Sequence, residues 1–88
     1  MFEEAVKINN TLGIHARPAS MIVQTAIKFK SEIQIVKNGT SADAKSIMSV
    51  MMLAAACNTT VVIRASGEDE EEAVKEIKTL FEQKFNEE

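Results

Sequence analysis

Gly13-Ile14-His15-Ala16-Arg17-Pro18-Ala19 gathers the residues of this chain best suited to chemistry. It holds the only histidine and the only proline among 88 residues. Proline suits the first turn of a helix, where its missing N–H leaves no bond unmade. That puts His15 at or beside an N-cap and leaves the backbone N–H groups of Ala16 and Arg17 without helical partners. Those donors and the positive end of the helix dipole form an anion site. Arg17 adds a permanent charge that can pair with phosphate. A neutral imidazole is a nucleophile. One short segment could thus attack phosphorus and then hold the phosphoryl group it receives. A lone surface histidine is more often a plain cap, but here Gly, His, Arg and Pro occur together at a helix start.

The second segment of interest is Lys45-Ser46-Ile47-Met48-Ser49-Val50-Met51. Ser46 is expected as the N-cap of another helix, a role worth ~1 kcal/mol over alanine. A phosphoserine there would carry roughly −1.5 to −2 charge, well placed against a helix N-terminus. The helix is expected to run to about Cys57, with Asn58 as a left-handed C-terminal cap. Nearly every position from Val50 to Cys57 is apolar. Val50, Leu53, Ala54 and Cys57 share one face, assigned to the core, while Met48, Met51 and Met52 project the other way and Ile47 lies at the flank. An outward methionine cluster suits partners of different shape, because the thioether is flexible. Cys57 has no base or electropositive setting in prospect and reads as a small buried hydrophobe.

The elements that must position these segments follow from periodicity. Phe2 to Ile8 partly alternates and reads as a strand. Asn9 to Gly13 is a loop. Ala19, Ile22, Val23, Ala26 and Ile27 recur at helical spacing, predicting a helix that ends near Phe29. Glu32 to Lys37 is a strand, and Asn38-Gly39 predicts a type I′ hairpin turn into a short edge strand, Thr40 to Asp43. Thr60 to Ser66 is a strand with Val61, Ile63 and Ala65 on one face. Asp69 and Glu72 have capping-box spacing at the head of a third helix, whose buried stripe is Ala73, Ile77, Leu80, Phe81 and Phe85. The order is βαββαβα, which suggests an α+β open-faced β-sandwich with a largely antiparallel sheet and helices on one face.

Composition narrows the functions further. The length fits a single domain over residues 1–88. Net charge is −3 and there is no Trp or Tyr, which argues against a nucleic-acid surface. One His and one Cys leave no material for a metal cluster or a disulfide scaffold. Residues 1–66 hold seven Lys/Arg and four Asp/Glu, net +3, whereas residues 67–88 hold three Lys and nine Asp/Glu, net −6. The acidic start, Met1-Phe2-Glu3-Glu4, does not read as a signal peptide, and no run is long enough for a membrane span. The cytoplasm is the expected location.

The segment around His15 closely resembles the active-site signature of the HPr family, the histidine-containing phosphocarriers of the sugar phosphotransferase system. The resemblance extends over essentially the whole chain. It implies a four-stranded antiparallel sheet of order 1-4-2-3 with three helices on one side. It implies a stoichiometric carrier, not an enzyme in its own right, with no cofactor. The phosphoryl group would come from phosphorylated enzyme I, ride on Nδ1 of His15 with Arg17 stabilising its charge, and pass to the IIA components of sugar permeases. Lys45-Ser46-Ile47-Met48 is similar to the site modified by HPr kinase/phosphorylase. The resemblance thus adds Ser46 as a regulatory phosphorylation site and a catabolite-control regulator as a further partner. Met21, Ile47, Met48 and Met51 match the family's partner-binding positions. The family often has Gly where Ser49 and Asn58 stand here. The expected state is a monomer.

Two other functions compete. A regulatory paralogue, such as a carrier of the nitrogen-related branch, would keep His15 but serve signalling. A pure interaction module, such as one devoted to catabolite control, would not use His15 chemically. The Ser46-Ile47-Met48 match favours the sugar branch, and an imidazole at a helix start has no purpose in a bare binding patch.

Overall fold

The computed structural model describes residues 1–86. Four strands form one antiparallel sheet in the order β1-β4-β2-β3. They are β1 (Phe2–Lys7), β2 (Glu32–Lys37), β3 (Thr40–Asp43) and β4 (Thr60–Ser66). Between and after them come α1 (Ala16–Ala26), α2 (Ile47–Met52) and α3 (Glu70–Glu82), closed by a short 3-10 turn, Lys84–Asn86. The α+β open-faced architecture and the strand order are those expected.

Alternation along the strands sends one set of side chains to the helices. The register aligns Ile63 of β4 with Ile35 of β2, and Ile35 with Ala42 of β3. Val61 lies opposite Val6, and Ala65 opposite Ile33. All of these are buried. They meet Ala19, Ile22 and Ala26 of α1, Val50 of α2, and Ala73, Val74, Ile77 and Phe81 of α3 in one core. The opposite face carries polar pairs such as Arg64 and Glu3, joined at 2.9 Å. Asn38 and Gly39 both take positive φ, at 49° and 83°, as a type I′ turn requires.

Several expectations need correction. Helix α1 stops at Ala26, and Ile27, placed above in its buried stripe, is 61% exposed. The segment leaves the helix through turns in which the Lys28 and Phe29 N–H groups reach the Thr25 and Ala26 carbonyls. This tucks Phe29 into the core instead.

Helix α2 ends at Met52, five residues short of Cys57. Ala54 adopts φ 50°, and the Lys37 ammonium donates to the Leu53 and Ala54 carbonyls at 3.0 and 3.2 Å. The terminal carbonyls therefore bond to a side chain of β2, not to further helix. Val50 and Leu53 are buried as expected, but Ala54 is exposed and Cys57 is half-buried outside the helix. Asn58 is left-handed, at φ 72°, though in a turn and not as a helix cap.

The capping box at α3 is not formed. The Asp69 side chain makes no bond to its own helix. Its carboxylate instead accepts from the backbone N–H groups of Lys30 and Ser31, at 2.9 and 3.0 Å, and from the Ser31 hydroxyl at 2.5 Å. Glu70, not Glu72, reaches back, to the Gly67 N–H at 3.1 Å. Three donors on a neighbouring turn outcompete one amide of the helix. At the far end of α3, Phe81 and Phe85 are fully buried and meet edge to face at a centroid distance of 4.9 Å.

Candidate functional site

The His15 segment stands on a platform built from two loops. After β1, the Ile8 N–H bonds the Thr59 carbonyl and the Asn58 N–H bonds the Ile8 carbonyl, at 2.9 and 2.8 Å. These continue the contact between β1 and β4 beyond the sheet. The Ile14 N–H then bonds the Ala55 carbonyl at 2.9 Å. Between them, a turn from Asn10 to Gly13 is closed by the Gly13 N–H donating to the Asn10 carbonyl at 3.1 Å. Gly13 has φ 68°, and a Cβ there would lie 2.5 Å from the Ala55 oxygen. Both the left-handed backbone and the close approach call for glycine.

The chain then enters α1 with His15 as its N-cap, in extended geometry at φ −99° and ψ −164°. The His15 side chain makes no capping bond to the helix, so the imidazole is not spent on an amide of α1. The His15 carbonyl accepts the Ala19 N–H at 3.0 Å, the first turn's bond. His15 is half-buried; Ala16 and Arg17 are exposed; Pro18 and Ala19 are buried. Pro18 and Ala19 thus anchor the first turn in the core, while Ala16 and Arg17 stay at the surface next to His15 in the chain. No acidic residue occupies this first turn, so no carboxylate of the helix competes for its positive end.

Ser46 caps α2, its hydroxyl accepting the Ser49 N–H at 3.3 Å. The side chains expected to meet partners divide into two groups. Ile47, Met48 and Met51 are 41%, 66% and 40% exposed. Met21, on α1, is half-buried and packs against the core. Sequence reasoning missed two exposed apolar residues near the two ends of α1. One is Leu12, in the turn before His15, and the other is Ile27, at the end of α1, a helix that packs against α2. An apolar residue in a five-residue loop was the available signal for Leu12. Met52, also projecting outward, is 77% exposed.

Among the described residues, no group of three His, Cys, Asp or Glu side chains could hold a metal ion. No helix among them is long and apolar enough to cross a membrane.

Known proteins match this arrangement along its whole length. The family profile described as "PTS HPr component phosphorylation site" matches residues 2–83. The phosphocarrier protein HPr of Xylella fastidiosa is 44% identical over 87 residues, covering 99% of this chain and 98% of its own. The crystal structure of HPr-C-His from Thermoanaerobacter tengcongensis superposes with a TM-score of 0.95 at 46% identity, covering 100% of this chain and 99% of that one. A second structure from that organism, an HPr dimer, gives a TM-score of 0.77 at 46% identity, covering 97% of this chain and 98% of that one. Matched by the family profile over residues 2–83 and by these relatives over nearly its whole length, the chain belongs to the HPr family of phosphotransferase-system phosphocarriers.

Proposed function

We propose that His15 is the covalent acceptor of a phosphoryl group delivered by phosphorylated enzyme I and passed on to IIA components of sugar permeases. The observation that carries this reading is the position of His15. It is the N-cap of α1, followed in the first turn by the exposed Ala16 and Arg17. In the forward step, the Nδ1 lone pair forms a bond to phosphorus as the bond from phosphorus to the donor breaks. The phosphoryl oxygens then meet the positive helix end and Arg17. The reverse exchange delivers the group to the next acceptor. The chain supplies nucleophile and charge stabilisation, and the donor and acceptor proteins supply the rest, so it is a carrier used in stoichiometric amount. All these groups come from one chain, which supports a monomer as the working form, in the cytoplasm where enzyme I would meet it.

Ser46 is the second, regulatory site in this reading, phosphorylated from ATP by an HPr kinase/phosphorylase and read by a catabolite-control regulator. Its hydroxyl already faces the amide end of α2, where a phosphate is well accommodated. Ile47, Met48, Met51 and the accessible part of Met21 form the partner surface. A nitrogen-branch paralogue is the alternative, and the Ser46-Ile47-Met48 run favours the sugar branch.

The test is incubation with phosphoenolpyruvate and enzyme I, followed by intact-mass measurement and acid treatment. One acid-labile phosphoryl group, absent from His15→Ala, is expected. No labelling under conditions that charge an established HPr overturns the reading. Transfer onward to a sugar-specific IIA separates the sugar branch from the nitrogen branch.

A further inference from the structure

We infer that Asn10 is a positioning residue for His15, acting through Gly13 without touching a partner or the phosphoryl group. This rests on the reading of His15 as the acceptor.

Asn10 is one of two fully or almost fully buried polar residues among those described, with no exposed surface. Its side-chain amide donates to the Gly13 carbonyl at 2.6 Å. Its own carbonyl accepts the Gly13 N–H at 3.1 Å. Asn10 therefore grips Gly13 at both polar groups of that residue. The Gly13 carbonyl is also the acceptor for the His15 N–H, at 3.2 Å. One carbonyl oxygen thus joins a buried amide on one side to the backbone of the imidazole-bearing residue on the other.

The rest of the surroundings leave this link little freedom. The Gly13 backbone runs so close to the 55–56 segment that a Cβ on it would lie 2.5 Å from the Ala55 oxygen and 2.9 Å from the Ala56 Cα. Ile8 and Ile14, on either side of the turn, are tied to Thr59 and Ala55. The Asn10 amide sets which way the Gly13 carbonyl points, and the carbonyl sets the path into His15. A buried hydrogen bond of this kind is strong and directional. Small displacements of a reacting group are costly to rate.

The test compares Asn10→Asp, Asn10→Ala and a core control, Ile77→Val, on the far helix. Asn10→Asp keeps the shape but replaces the donor with an acceptor facing the Gly13 carbonyl. Asn10→Ala removes the donor and serves if the aspartate variant does not fold. The expected result is a kcat for phosphoryl acceptance from phospho-enzyme I reduced about tenfold. KM for the chain should be unchanged, because Asn10 is buried. Hydrogen exchange at the His15 amide should accelerate in step. Ile77→Val, at a comparable loss of melting temperature, should change neither. A folded Asn10 variant with wild-type kcat and wild-type His15 exchange overturns the inference. So does an equal loss of kcat in Ile77→Val. If the wild-type chain accepts no phosphate at all, the proposed function fails instead, while His15 exchange still reads the Asn10 link.

Discussion

Gly13 and Ala55 approach so closely that a side-chain carbon on the first would lie 2.5 Å from the carbonyl oxygen of the second. The contact joins the loop that leads into His15 to the loop that follows α2. Gly13→Ala combines this clash with a left-handed backbone that costs about 1–2 kcal/mol for a residue with a Cβ. We expect a loss of at least ~2 kcal/mol in urea unfolding and a large fall in phosphoryl acceptance. A variant of wild-type stability would show that the two loops separate freely.

Asp69 links α3 to the start of β2. Its bonds from the Ser31 hydroxyl and from the Lys30 and Ser31 amides lower its pKa from 3.8 to about 2. A carboxylate depressed in the folded state contributes stability that is complete above 3.8 and lost as pH falls toward 2. The melting temperature of wild type should therefore drop between about pH 5 and pH 2 by more than that of Asp69→Asn. Parallel curves for the two proteins would remove Asp69 from the acid response.

Ser46→Ala removes the acceptor for the Ser49 N–H. The expected cost is about 1 kcal/mol, at the low end for a bond of 3.3 Å. Ser46→Asp should retain the cap and recover most of that loss. Enzyme I should nevertheless phosphorylate the aspartate variant more slowly than the alanine variant, if charge at this position is inhibitory. Equal rates would separate Ser46 from control of His15.

Phe85→Ala opens a cavity against Phe81 at the end of α3. Both rings are fully buried, and Phe85 sits at φ 54°, a conformation held by its packing. Unfolding should lose about 3–5 kcal/mol. A loss below ~1 kcal/mol would mean that the final turn contributes little to the core.

Met48→Glu tests the outward face of α2. At 66% exposure, the change should leave stability within about 0.5 kcal/mol. KM toward enzyme I should rise roughly tenfold, the scale of a lost apolar contact. An unchanged KM would place the contact elsewhere.

The sheet was legible because β2 and β4 alternate cleanly, β1 does so in part, and Asn38-Gly39 dictates its hairpin. His15 was legible as a cap because Pro18 marks a first helical turn. What was not legible depended on contacts distant in sequence. Nothing in the apolar run from Val50 to Cys57 signals a stop at Met52. The stop comes from the Lys37 ammonium and from the demand of Ile14 for the Ala55 carbonyl. Asp69 and Glu72 have the spacing of a capping box, but that pattern carries no record of Ser31, whose hydroxyl and amide draw Asp69 away. Ile27 continued the periodicity of α1 without sharing its burial, because the chain had already turned to bring Phe29 inward. Asn10 looked like an ordinary loop residue until its burial and its bond to Gly13 were seen together.

The direction of the strands gives the charge asymmetry a geometry. Lys7 lies opposite Thr60 at the end of the sheet from which the loops reach His15, and Phe2 lies opposite Ala65 at the other. The run Gly67 to Glu72, with five carboxylates, leaves the sheet at that second end. The five steps between the six residues of β1, at about 3.3 Å each, set the two ends roughly 17 Å apart. Two of the five carboxylates are ion-paired, Glu68 with Lys30 and Glu70 with the N-terminal ammonium, and the remainder make this the acidic end of the sheet. An acidic partner would be repelled by the head of α3 before any side chain touched, and encounters would then favour the end that carries His15. The productive fraction of encounters, and not only their number, would then fall as salt is added.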